Sequence, residues 1–324
     1  MLLSISFLVV GFALLIVGGE LLVRGAVRLA ERAGMSQLLI GLTIVGFGTS
    51  APELVASVGA AMQGYPDIAW GNVIGSNLAN SLLILGVASL IYPMAVPRGP
   101  LWRDGGLAMV ATMILGIAAI QNLVGAVLGS IFLLVLAVYL MHAYREEKRL
   151  GPVHGAVAEK AEALEVTDKA LHVEQSALRS VMILLAGMVA ILLGGRWLVS
   201  GAVDVATWAG LTEAQIGLTV IAIGTSMPEL VTAVVAARRG ASAVALGNVL
   251  GSNLFNLLLI GGSTAIIAPA AIAPSLVLFS LPVLIAVSVL TLIFAATSHR
   301  ISRIEGGILF LIYVGLLVYN LSGS

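Results

Sequence analysis

The 324-residue sequence contains no cysteine, which excludes a disulfide framework, a thiolate metal site and a cysteine nucleophile. Charge is nearly as scarce: Asp, Glu, Lys and Arg make up 10% of the chain, and 16 acidic side chains balance 16 basic ones. So few charges cannot cover the surface of a water-soluble domain of this length. The four histidines, His142, His154, His172 and His299, fall in or beside hydrophilic segments and read as solvated side chains. No HExxH, glycine-rich phosphate loop or basic-aromatic patch occurs, so zinc hydrolysis, nucleotide use and nucleic-acid binding lack support. No Asp pair, Ser-His set or zinc ligand set lies in the apolar segments, so an intramembrane enzyme is the weakest reading and no cofactor is expected.

What is present is hydrocarbon. Apolar residues fill 60% of the positions and the mean hydropathy is +1.10, so most of the surface must face a lipid bilayer. Windows of about twenty apolar residues, the length that crosses a bilayer, fall at 2–30, 37–62, 67–91, 103–120, 123–144, 177–208, 213–237, 242–267, 276–297 and 304–321, which predicts ten helices. No positive charge precedes Arg24 and further spans follow, so the first window reads as a retained helix and not as a signal peptide. The one long hydrophilic stretch separates two halves, 1–145 and 177–324, joined by a linker at 146–176. With the N-terminus outside, every one of the 16 basic residues except Arg196 falls on the inner side, linker included, as the positive-inside bias requires. The expected location is a prokaryotic cytoplasmic (inner) membrane with the linker in the cytoplasm.

The halves repeat. Residues 40–55, IGLTIVGFGTSAPELV, match 216–231, IGLTVIAIGTSMPELV; residues 71–86, GNVIGSNLANSLLILG, match 247–262, GNVLGSNLFNLLLIGG, all at one offset of 176. Gly18-Gly19 and Gly194-Gly195 keep the same offset. Five crossings separate equivalent residues, so the halves are inverted in the membrane, an arrangement that places a binding site near the midplane. The charges agree: Arg24, Arg28 and Arg32 at the inner end of helix one become Ser200, Asp204 and Trp208 at the outer end of helix six. The fold expected is all-α, with two inverted five-helix repeats and helices two, three, seven and eight broken around that site.

Pro52 lacks an N–H and displaces the carbonyl four residues back, so the turn from Gly46 to Thr49 should open; Pro228 does the same to Gly224. A carboxylate follows each proline, Glu53 or Glu229, in the first turn of the continuing half-helix, where the dipole favours negative charge. Thr49 with Glu53, and Thr225 with Glu229, are four apart and share a face, with Ser50 and Ser226 adjacent. Asn72, Ser76 and Asn80 line one face of helix three, and Asn248, Ser252 and Asn256 the matching face of helix eight. Carboxylates, hydroxyls, amides and freed carbonyls make an all-oxygen cage, suited to Ca²⁺ and to the similarly sized hard cation Na⁺. Two carboxylates neutralise one Ca²⁺; three Na⁺ would leave the same site with one positive charge.

Repeated Gly and Ser in membrane helices usually serve close packing, whereas a carboxylate at membrane depth is a functional candidate by default. Asn77 and Asn253 point off the polar stripe and read as helix-to-helix ties. Glu20 with Arg24 reads as an interfacial ion pair, Arg196 as a snorkelling side chain, Thr212 to Gln215 as a capping box and Ser36 as an N-cap.

At these residues the sequence resembles the cation/Ca²⁺ exchanger superfamily, and within it the prokaryotic-type Na⁺/Ca²⁺ exchangers with two inverted α-repeats; the paired GTSxPE and GNxxGSN motifs carry the resemblance, which spans nearly the whole chain. It implies that Glu53 and Glu229 bind Ca²⁺ and share Na⁺, with carbonyls of Thr49 and Thr225 completing a central site. It further implies flanking Na⁺ sites from Gly46, Ser50 and Ser76 on one side and Ala222, Ser226 and Ser252 on the other, with Asn80 and Asn256 lining the centre. One departure is Asn256, where many members carry Asp. The linker is a second: about thirty residues cannot hold the β-sandwich Ca²⁺ sensors of animal exchangers, which need about 100. The function expected is Ca²⁺ exchange for Na⁺ by alternating access, with a Ca²⁺/H⁺ antiporter as the alternative and a cation channel behind it. H⁺ and K⁺ stay open as co-substrates, and no obligatory protein partner is expected.

Overall fold

The structure is a computed structural model that describes residues 2–32, 50–96, 101–150, 176–238, 240, 242–269 and 272–322. Within these residues the chain is helical apart from one pair of two-residue strands. The helices are α1 (Leu2–Arg32), α2 (Ala51–Met62), α3 (Pro66–Ile91), α4 (Leu101–Ile120), α5 (Ala126–Leu150) and α6 (Ala177–Ala209). They continue with α7 (Glu213–Thr225 and Met227–Arg238), α8 (Ser242–Leu254, Phe255–Gly261 and Gly262–Ile267), α9 (Leu276–Ser280 and Leu281–Ser298) and α10 (Arg303–Leu321). Eight are long and apolar enough to cross a membrane, and the bent α7 makes a ninth among the described residues. The window at 37–62 is described only from Ser50 onward; its first half, with Ser36, Gly46, Gly48 and Thr49, lies outside the described residues, as does most of the linker with His154 and His172.

Side chains such as Leu2, Val9, Leu134, Leu192 and Leu311 stand exposed on the outer helices, as a lipid-facing surface demands. Helices α3 and α8 are the most enclosed spans.

Contacts between loops agree with alternating crossings. Asp67 Oδ1 accepts from Ala273 N at 3.1 Å, and Gln215 Nε2 donates to Asn320 O at 2.8 Å, which gathers the starts of α3, α7 and α9 with the end of α10. At the opposite end β1 (Met94–Ala95) pairs antiparallel with β2 (Arg300–Ile301), and Arg303 Nη2 donates to Ile91 O at 3.2 Å. Helix termini are closed locally: the expected Thr212–Gln215 capping box is present, and a second one, Ser302 with Glu305, starts α10. Glu20 pairs with Arg24 one turn on, also as expected.

Helices α3 and α8 are continuous where interruptions were expected. Neither contains a proline past its first turn, so nothing removes an N–H from the ladder. Instead each carries a π-helical stretch, Ala79–Ile84 and Phe255–Gly261, at equivalent positions of the two repeats. Each stretch carries one of the candidate asparagines, Asn80 or Asn256. Wider i→i+5 turns of this kind are frequent at functional sites because they re-aim side chains without breaking the helix. Among the described residues the one bent span is α7, which turns by 46° at Ser226, immediately before Met227-Pro228.

Helices α1 and α6 run antiparallel in backbone contact. Gly11 faces Leu198 and Gly25 faces Leu184, so the chains run in opposite directions. Gly11, Gly18 and Gly25 on α1, and Gly187, Gly194 and Gly201 on α6, recur every seven residues and at the same offset of 176. A Cβ at Gly187 would lie 2.5 Å from Leu22 N, a backbone clash that no rotamer change relieves. Gly187→Ala is therefore expected to cost about 1–3 kcal/mol through overpacking, read as a lowered thermal midpoint in detergent. Gly59→Ala is the control, since its Cβ would meet nothing closer than Gln63 Nε2 at 3.9 Å.

Candidate ion-binding site

The site begins where the α2 and α7 half-helices start. Ser50 caps α2, with Ala51-Pro52 opening its first turn and Glu53 in that turn; Glu229 holds the same place after Pro228 in α7. Both carboxylates are 2% exposed. Such burial of an ionised group is stable only with counter-charge or several donors.

Hydroxyls of α7 and α8, both in the second half of the chain, reach the two carboxylates. Ser226 Oγ donates to Glu53 Oε1 at 3.2 Å, so the bend of α7 lies against the carboxylate of α2. Ser252 Oγ on α8 donates to Glu229 Oε1 at 3.4 Å. Asn72 Nδ2 donates to Glu53 O at 3.3 Å, and its repeat equivalent Asn248 Nδ2 donates to Glu229 O at 3.2 Å. These two bonds repeat at equivalent positions and tie each polar stripe to the glutamate-bearing helix beside it.

Asn72 does more than line a wall. Its amide also donates to Ser57 Oγ at 2.8 Å, while its Oδ1 accepts from Thr225 Oγ1 at 3.2 Å and from Ser76 Oγ at 3.3 Å. With both ends engaged it braces α2, α3 and α7 together. Ser57, one turn past Glu53, was not singled out in the sequence; its i+4 spacing from Glu53 was the available signal.

The remaining candidates fall as follows. Ser50 (1% exposed), Ser76, Thr225, Ser226 and Ser252 are all buried beside the two glutamates' helices. The Ala222 carbonyl accepts from Ser226 N at 3.1 Å and from Thr225 Oγ1 at 3.5 Å, so it serves the bend of α7. Thr225 Oγ1 also reaches the Ile221 carbonyl at 3.0 Å. Asn80 and Asn256 are each 1% exposed, and Asn80 Oδ1 and Asn256 Nδ2 have no hydrogen-bond partner among the described residues. Gly46 and Thr49 lie outside the described residues. Asn253 ties helix to helix as expected, but Asn77 donates to the Val73 carbonyl of its own helix at 2.8 Å.

One buried carboxylate escaped the sequence reading. Asp104, fully buried in α4, is paired with Arg103 (2.7 Å) and accepts from Tyr139 of α5 at 2.9 Å. It lies away from the paired motifs, and its neighbour Arg103 was read only as an inner-side charge. Among the described residues no group of three or more His, Asp or Glu side chains converges, so the negative charge of the central site rests on two glutamates.

Apolar helices long enough to cross a membrane, two of them largely enclosed, with buried carboxylates at equivalent positions of the repeated motifs, define a membrane transporter. The family model for sodium/calcium exchanger protein matches residues 3–145 and 179–322, and the chain belongs to that family. It is 33% identical to the sodium/calcium exchanger MaX1 of Methanosarcina acetivorans over 97% of this chain and 98% of that protein. It is 34% identical to the inner membrane protein YrbG of Escherichia coli over 98% of this chain and 96% of that one. A solved structure of the sodium-calcium exchanger NCX_Mj, soaked with Na⁺ and Sr²⁺, matches with a TM-score of 0.61 at 28% identity, covering 98% of each chain.

Proposed function

We propose that this protein is a secondary antiporter that exchanges Ca²⁺ for Na⁺ across a membrane by alternating access. The observation that carries the reading is the two buried carboxylates, Glu53 and Glu229, held at equivalent positions of two repeats and reached by hydroxyls of α7 and α8. Two carboxylates match the charge of one Ca²⁺, and the Ser, Thr and Asn oxygens around them extend the cage for hard cations. Thr49, Thr225, Ser50, Ser226, Ser76, Ser252, Asn80 and Asn256 supply the further oxygens, with backbone carbonyls of Gly46 and Ala222 at the flanks.

Competition for the same oxygens gives the coupling. A site emptied of ions would hold two bare carboxylates out of water, which is costly, so only a Ca²⁺-loaded or Na⁺-loaded site would permit the swing. Helices α1 and α6, locked together by their glycines, move as one unit against the core of α2, α3, α7 and α8. Residues 1–145 and 177–324 act as the two inverted repeats, with 146–176 as the cytoplasmic linker and the N-terminus outside. The names of MaX1 and of the putative antiporter CaxA of Alkalimonas amylolytica, 34% identical over 97% of this chain, support exchange. That of YrbG supports a prokaryotic inner membrane.

In proteoliposomes of the purified chain, an outward Na⁺ gradient should drive ⁴⁵Ca²⁺ accumulation that collapses when choline replaces Na⁺. A pH gradient alone should drive none. Uptake that follows the pH gradient and ignores Na⁺ would establish the Ca²⁺/H⁺ alternative instead.

A further inference from the structure

An asparagine is useful to a cation from one end only: its carbonyl oxygen is a ligand, while its NH₂ repels positive charge. What holds the right end toward the ion is therefore a separate question from which residue lines the site. On α3, Asn80 lies one turn past Ser76, on the face that carries Asn72 against Glu53 and Thr225. Its Nδ2 donates to Asn253 Oδ1 of α8 at 3.1 Å, and Asn253 Nδ2 donates in turn to Ser81 Oγ, back on α3, at 3.0 Å. Its Oδ1 is buried with no hydrogen-bond partner among the described residues, an acceptor left open on the face that carries the site.

We infer that Asn253 is a positioning residue: through the relay Ser81–Asn253–Asn80 it holds the Asn80 carboxamide with its oxygen available to the transported cation. Asn80 cannot turn alone. A lone flip would set its oxygen against Asn253 Oδ1, losing one hydrogen bond and opposing two carbonyls, so reversal requires all three groups to reverse together. The other repeat shows that this is not a general feature of the packing. Asn77, the equivalent of Asn253, bonds to the Val73 carbonyl, and Leu257 replaces Ser81. Asn256, the equivalent of Asn80, has its Nδ2 buried without a partner among the described residues. The cage is symmetric in residue type, but the relay orients only the Asn80 side.

This inference rests on the exchange reading, and the test separates the two. Initial rates of Na⁺-driven ⁴⁵Ca²⁺ uptake are measured against Ca²⁺ concentration for the reconstituted full chain. Asn253→Ala is expected to raise KM for Ca²⁺ about tenfold, the loss expected for one buried hydrogen bond, with kcat within about twofold. Asn80→Ala should do the same, and the double variant should be no worse than Asn80→Ala alone, because Asn253 acts only through Asn80. Asn77→Ala, the control for losing a buried amide, should leave KM unchanged. Ser81→Ala probes the relay from its far end and should raise KM severalfold, which keeps the test decisive if Asn253→Ala does not fold. Multiplied effects in the double variant, a change in kcat alone, or an unchanged KM in Ser81→Ala overturns the relay while leaving exchange intact. Wild-type uptake indifferent to Na⁺ overturns the exchange reading itself.

Discussion

Glu53→Gln is expected to abolish Na⁺-driven Ca²⁺ uptake, with a residual rate below about one hundredth of wild type, and Glu229→Gln is expected to match it. Glutamine keeps the shape of the side chain and an oxygen for the 3.2 Å bond from Ser226, or for the 3.4 Å bond from Ser252, so packing and local hydrogen bonding survive. What disappears is one of the two negative charges. A unit charge pair at about 4 Å in an effective dielectric of about 20 contributes on the order of 4 kcal/mol, and a divalent ion feels the loss twice. Each factor of ten in affinity corresponds to about 1.4 kcal/mol, so even a well-screened site loses more than a hundredfold. The measurement is ⁴⁵Ca²⁺ uptake in proteoliposomes, with the thermal midpoint in detergent as the check that the variant is folded. Unimpaired exchange in either folded variant would remove that glutamate from the site.

The parts of this architecture that were legible in the sequence are those set by strong local constraints. Bilayer thickness fixes span length, so the windows at 67–91, 177–208 and 304–321 lie within a residue or two of α3, α6 and α10. Proline chemistry acts on its own turn: α7 bends by 46° at Ser226, two residues before Pro228, while Ala222–Thr225, the turn expected to open, stays helical. Repetition at one offset pointed to Glu53 and Glu229, and the equivalent bonds from Asn72 and Asn248 lie on the matched motifs. The π-helical stretches were not legible. ANSLLI and FNLLLIG carry no proline or charge to mark them, and the choice between i+4 and i+5 hydrogen bonding is made by packing against neighbouring helices. Nor could spacing reveal that Asn72 is a saturated brace and Asn80 is not. That difference depends on Ser57 and Thr225 arriving from other helices at one asparagine and Asn253 at the other. The pairing of Asp104 with Tyr139 joins two helices through a contact that no motif records.

The notch at Gly224 is likewise a tertiary feature, and it carries the second large expectation. Gly224 precedes Thr225 and Ser226 at the bend of α7, and a Cβ placed there would overlap the ring of Phe12 on α1. Gly224→Ala must therefore unseat Phe12 or shift the bend, and α1 cannot yield freely because its glycines are in backbone contact with α6. Phe12 is partly buried, so unseating its ring costs at most the about 1.5–3 kcal/mol of a fully buried one, up to roughly ten- to hundredfold in an equilibrium. If the strain falls on the bend instead, Ser226 is drawn from Glu53 and Ca²⁺ binding weakens by a similar factor. Either route lowers Ca²⁺ uptake by about tenfold at limiting Ca²⁺. Shortening the opposing side chain distinguishes this steric cause from a need for glycine's backbone freedom: Phe12→Ala combined with Gly224→Ala should recover most of the uptake. Gly224 has no left-handed backbone angle to preserve, so alanine is otherwise acceptable there. A double variant as slow as Gly224→Ala alone would show that the Phe12 contact is not what the methyl group disturbs, and that α1 does not bear on the site through this notch.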